Sequence, residues 1–174
     1  IGRNVTILCF LKTGPYLNQI SDKVAIINLE ADNRFSQILK LKKYLNLNPG
    51  LKVISTVRNT HIAYGLAVLT SLNRVKKNKV LFLEVNTFHS IKNKTLLKRI
   101  IWYLIINISY FKANTISCCS LDVRSELEKI IPLYRNKLKI IGNPVIPEDF
   151  NVLRKKPIIN PHRWIGRKDL KIFL

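Results

Sequence analysis

Short apolar runs alternate along this chain with longer amphipathic segments. Positions 5–11 (VTILCFL) are almost continuously apolar, the pattern of a strand covered on both faces. Positions 23–29 (KVAIINL) form a second such run. Positions 33–47 then place Phe35, Ile38, Leu39, Leu41 and Leu45 near one helical stripe, which Pro49-Gly50 ends. The next strand is predicted at 51–57 (LKVISTV). It is followed by a helix over 60–72 whose small residues Ala63, Gly65 and Ala67 suit a close approach to a sheet. Further on come a strand at 79–85 (KVLFLEV), a strongly apolar helix over 96–111 and a strand at 114–119 (NTISCC). Ser120 is placed to cap a helix over 121–131, whose Val123, Leu127, Ile130 and Ile131 share a face and which Pro132 ends. A last strand at 138–141 stops at Gly142-Asn143-Pro144. Proline donates no main-chain hydrogen bond and biases Asn143 to extended geometry.

Strands alternating with helices of this length predict βαβ units: an α/β fold, with a Rossmann-like and largely parallel sheet flanked by helices and right-handed crossovers. Such sheets bind ligands at the carboxyl ends of their strands. The residues there are Arg58, Asn59, Thr60 and His61 after one strand, Glu84, Asn86, Thr87, Phe88 and His89 after another, and Gly142, Asn143 and Pro144 after the last. Beyond this region the pattern decays. Positions 151–168, with Pro157, Pro161 and the cluster Arg154-Lys155-Lys156, read as a linker, and 169–174 (DLKIFL) begins another apolar run.

Composition sharpens this picture. The 174 residues are 47% hydrophobic, enough for one sizeable folded domain and too much for a disordered chain. Thirty basic against 10 acidic residues give a net charge of +20, which favours anionic partners. The lysines are scattered rather than blocked, which argues against a dedicated nucleic-acid arm. Cys9, Cys118 and Cys119 are odd in number and lie in apolar runs, so they read as small buried hydrophobes rather than a disulfide framework. No metal-ligand spacing and no phosphate-cradling glycine motif occurs. The chain contains no methionine, not even at position 1, which suggests a fragment or a processed product.

Four motifs in order carry a family resemblance: Gly2-Arg3-Asn4-Val5-Thr6-Ile7, Leu83-Glu84-Val85-Asn86, Ala113-Asn114-Thr115-Ile116-Ser117-Cys118-Cys119-Ser120, and Lys139-Ile140-Ile141-Gly142-Asn143-Pro144-Val145. Positions 2–150 thereby resemble the N-terminal, acceptor-side domain of family 4 glycosyltransferases, which pair two Rossmann-like domains. The resemblance implies a domain over 1–150 that lacks the family's first strand and Gly-rich turn, a linker over 151–168, and at 169–174 the start of an absent donor-binding domain. It also implies sugar transfer from a nucleotide-sugar donor to a saccharide or lipid-linked acceptor with retention of configuration, and no metal or other cofactor. The place of action would be the cytoplasm, peripheral to the inner face of the membrane. Without the donor-binding half, the chain alone is expected to be inactive. The alternative is a truncated remnant that serves as a basic membrane- or anion-binding domain.

The same resemblance makes Glu84 and Asn86 the candidate catalytic pair, where a position often held by histidine in the family is Val85. Against this stands a turn in which Glu84 and Asn86 only satisfy local main-chain groups. Arg58, Thr60, His61, Thr87 and His89 are the candidate acceptor contacts, with capping or surface roles as the simpler alternative for the histidines. Asn143 and Pro144 correspond to the interdomain hinge. Lys92, Lys94, Lys98, Arg99 and Trp102 lie on or before the apolar helix and are candidates for facing an anionic membrane; a helix simply packed on the sheet is the alternative. The run is too short to span a bilayer, which takes about 20 apolar residues.

Overall fold

The structure, a computed structural model, describes residues 5–71, 75, 77–87 and 95–142. In chain order these form β1 (Thr6–Cys9), β2 (Ala25–Asn28), α1 (Arg34–Leu47), β3 (Lys52–Ser55), α2 (Arg58–Leu69), β4 (Lys79–Glu84), α3 (Leu96–Tyr110), β5 (Thr115–Cys118), α4 (Leu121–Ile130) and β6 (Leu138–Ile140). Short 3-10 turns occupy Leu17–Gln19 and Pro132–Lys137. Every strand pairing among the described residues is parallel. The fold is Rossmann-like α/β, as the alternation of runs predicts.

The sheet differs from that expectation in one respect. It is divided, with β1 paired to β2 and a separate sheet in the order β3-β4-β5-β6. No pairing joins β1 to β3 among the described residues.

Local chemistry explains most boundaries. Asn33 caps α1, its side chain accepting the Ser36 N–H at 2.9 Å. Ser120 caps α4 in the same way through the Val123 N–H at 3.3 Å. Asn78 and Asn114 act as brackets between strands. The Asn78 Oδ1 accepts from Gly50 N at 2.8 Å and Leu51 N at 3.0 Å, and the Asn114 Oδ1 accepts from Val80 N at 2.7 Å. Each side-chain amide stands in for a missing ladder partner at the start of a strand.

The core lies between the four-stranded sheet and its helices. Phe82, Tyr110, Ile106, Ile116 and Leu127 are fully buried in it. The stripe expected on α1 is narrower than its sequence suggests: Leu41 and Leu45 are buried, whereas Phe35 and Leu39 are exposed. All four apolar residues expected on the inner face of α4 are buried. Gly65 in α2 makes a close approach, but to a helix and not to the sheet. A Cβ at Gly65 would overlap the main chain of Ser109 in α3. The expected domain limit near position 150, the linker, the run 169–174, His89, Lys92, Lys94, Asn143 and Pro144 lie outside the described residues.

Candidate functional site at the ends of β3 and β4

β4 delivers Glu84 at its last position, and α2 begins at Arg58, just after β3. Because β3 and β4 are adjacent and parallel, both residues emerge at the same edge of the sheet. Their side chains meet there. The Arg58 Nη2 donates to Glu84 Oε2 at 3.0 Å and Nε lies 3.4 Å from Oε1, a side-on pair. Arg58 Nη2 also donates to the Asn86 carbonyl at 2.8 Å, and Nη1 reaches the Thr87 carbonyl at 3.5 Å. The guanidinium therefore ties the end of β3 to the turn that leaves β4. Asn86 and Thr87 take part through their main-chain oxygens.

Glu84 is buried, at 2% side-chain exposure, while Arg58 retains 17%. A buried carboxylate needs its charge matched and its lone pairs filled. Arg58 supplies the charge, and the phenol of Tyr110 donates a short hydrogen bond to Glu84 Oε1. Burial first, and then the negative Glu84 beside it, pushes the Tyr110 phenol well above its ordinary value, so it keeps its proton and remains a donor. Tyr110 stands out in the sequence only as an aromatic late in an apolar helix. Its signal is the amphipathic nature of tyrosine itself: a buried ring whose hydroxyl must find a partner.

His61 stands behind this pair, fully buried. Its ring stacks on Phe82 at 4.5 Å with 7° between planes, and Tyr110 meets it edge-on at 5.8 Å. Nε2 faces the Leu83 carbonyl at 3.2 Å, and Nδ1 lies 2.7 Å from Ser55 Oγ. A carbonyl can only accept, so Nε2 carries the proton and Nδ1 accepts from the Ser55 hydroxyl. Burial is the main force holding the imidazolium down to about 4. The charge of Arg58 lowers it further, and the Leu83 hydrogen bond offsets part of the effect. The ring is neutral at neutral pH.

Thr60 turns inward as well. Its hydroxyl donates to the Val57 carbonyl at 2.6 Å and sits 2.6 Å from Ser55 Oγ, so it caps the start of α2. The sequence-predicted set thus divides. Arg58, Glu84, His61, Thr60 and the main chain of Asn86 and Thr87 come together at one sheet edge. Lys98, Arg99 and Trp102 sit on α3: Lys98 is exposed, Arg99 is half-buried, and Trp102 lies 5.4 Å beneath the Arg34 guanidinium.

This arrangement holds a largely covered guanidinium against a buried carboxylate, a buried phenol and a neutral imidazole. Such a group can hold an anion or a sugar hydroxyl without having to be ordered by the ligand. Glu84, the candidate catalytic carboxylate, is buried and holds the Arg58 guanidinium in place. Among the described residues no group of three or more His, Cys, Asp or Glu could hold a metal ion. No known protein family, curated protein or solved structure matches the chain.

Proposed function

We propose that this domain is the acceptor-side half of a nucleotide-sugar glycosyltransferase and that Arg58 helps to seat a phosphate-bearing or hydroxyl-rich acceptor. One observation carries the reading: the Arg58 guanidinium is locked across the carboxyl ends of two adjacent parallel strands by Glu84 and the Asn86 carbonyl. Ligands of open parallel sheets gather at that edge. The net charge of +20 adds a field that concentrates anionic substrates there. The four ordered sequence motifs point the same way. The donor nucleotide sugar would be read by a second domain. The test is an NMR titration of the 174-residue chain with glucose 1-phosphate as probe. Shifts confined to Arg58, Asn86 and Thr87, lost in Arg58→Gln, are the expected result. Unchanged spectra at millimolar probe would overturn the proposal.

A second reading has its own observation. On α3, Leu97, Ile101, Leu104 and Ile108 repeat at spacings of four and three and are all exposed, as is Phe111 just beyond. Lys98 and Lys112 flank this stripe. Such a helix suits the interface of an anionic bilayer. No helix among the described residues is long and apolar enough to cross a membrane. This reading predicts binding to vesicles of anionic phospholipid that weakens with salt and is abolished in Leu104→Glu. Equal binding by that variant would remove α3 from the contact.

A further inference from the structure

The amino end of the four-stranded sheet carries a line of lysines. Lys52 is the first residue of β3 and Lys79 the first of β4. Lys112 stands three residues ahead of β5, and Lys137 immediately precedes β6. The strand order β3-β4-β5-β6 therefore sets side by side, one per strand, four lysines that are far apart in sequence. Lys52 and Lys79 are direct cross-strand partners. The pairing of Leu81 with Thr115 carries Lys79 opposite position 113, next to Lys112. Lys112 and Lys137 meet at one ring, their ammonium nitrogens 4.6 and 5.9 Å from the centroid of Phe111. With neighbouring strands about 4.8 Å apart, the row spans about 14 Å.

This row works against the stability of the fold. Like charges directly opposite on adjacent strands repel. None of the four lysines pairs with a carboxylate among the described residues. Glu84 and Asp122 lie at the other end of the strands, since Glu84 ends β4 and Asp122 stands in the first turn of α4, after β5. The Lys137 ammonium has the Phe111 carbonyl at 2.9 Å and the rings of Phe111 and Tyr134 as counterweight, and none of these carries a full charge. Burial first, and then the charge of Lys112, lowers its hold on the proton.

We infer that this lysine row is a binding surface for one phosphodiester chain of single-stranded nucleic acid, held through its phosphates without reading of its bases. A line of positive charge matches a line of phosphates, whereas a bilayer offers a plane of headgroups and a duplex offers two chains. Phe111 is 49% exposed at the end of the row, with the Tyr134 ring 6.4 Å away, so a base that reaches this end meets an aromatic surface. The row lies at the opposite end of the strands from Arg58, and the inference is independent of sugar transfer. Lysines that the sequence scatters are gathered into one line by the strand order.

The test is fluorescence anisotropy of a labelled oligouridylate of about 12 nucleotides, titrated with the 174-residue chain over a series of salt concentrations. A row variant carries Lys52→Gln, Lys79→Gln, Lys112→Gln and Lys137→Gln together. A control variant carries Lys12→Gln, Lys23→Gln, Lys43→Gln and Lys129→Gln, which removes the same charge from exposed positions elsewhere. The expected result is binding weakened by about tenfold or more in the row variant, with the slope of log affinity against log salt shallower by about 3, and a much smaller change in the control. The urea midpoint of the row variant should equal or exceed the parent's, because an opposed pair of like charges is gone. Where the row variant does not fold, Lys52→Gln and Lys79→Gln singly, each reducing the slope by about 0.7, give the same reading. Equal losses in the row and control variants would assign binding to net charge and overturn the inference, as would no binding by the parent at low salt. Loss of binding to phosphatidylglycerol vesicles in the row variant, with oligouridylate binding unchanged, would overturn it in favour of a lipid surface.

Discussion

Arg58 and Glu84 stand 26 positions apart in sequence and 3.0 Å apart in space, at the ends of neighbouring parallel strands. Neither is placed there by local structure alone. The pairing register of β3 and β4 brings them together, and the burial of Glu84 makes the contact obligatory. Removing the charge of a buried partner strands the other. Glu84→Gln should therefore cost about 3 kcal/mol of stability, read as a lower midpoint in urea. Arg58→Gln should cost a comparable amount. The double variant should lose less than the sum, and strict additivity would show that the pair is not coupled.

Tyr110 is the second support of the same carboxylate. Tyr110→Phe removes one donor to Glu84 and leaves the ring packing on Phe82 intact. A loss of about 1–3 kcal/mol is expected, the cost of an unfilled buried acceptor. A neutral effect in thermal unfolding would mean that Glu84 is satisfied without the phenol.

His61 makes stability depend on pH. Its folded value of about 4 lies below the ordinary 6.5, so the unfolded chain binds the extra proton first. Stability from this group is complete above about pH 6.5 and is lost as the pH falls toward 4. The full difference amounts to about 3 kcal/mol. Urea midpoints measured from pH 7 to pH 4 should fall accordingly, and His61→Gln should flatten that part of the curve. An unchanged slope in the variant would assign the dependence to other groups.

Gly65 is fixed by the neighbouring helix. A methyl group there would press into the main chain of Ser109, which cannot move without shifting α3. Gly65→Ala should destabilise by about 2–3 kcal/mol, although alanine is the better helix former. A more stable alanine variant, by calorimetry, would show that α2 and α3 can separate freely.

The cysteines should react in a fixed order. Cys118 is fully buried, and burial followed by the negative charge of Glu84 pushes its thiol up to about 11. The thiolate is the reactive form. Iodoacetamide at pH 8 should label Cys9 and Cys119 in the native state well before Cys118, as resolved by peptide mass spectrometry. Equal rates would place Cys118 at the surface.

The alternation of apolar runs with amphipathic segments determined the parallel α/β architecture, and the strand-end rule marked out Arg58, His61 and Glu84. These features are legible because backbone periodicity and turn chemistry act over a few residues. The partners were decided elsewhere. Glu84 was marked by its place at a strand end, but its burial and its contact with Tyr110 from α3 have no signal in the sequence. Thr60 was a candidate ligand contact, and in the fold its hydroxyl donates to the Val57 carbonyl. Gly65 looked suited to a sheet and instead admits a helix. The division of the sheet at β1 and β3 has no signature in either strand, because each run would read the same with one neighbour or two. Which groups meet, and which edges stay open, depends on strand order and helix packing across long separations, and only the tertiary structure fixes those.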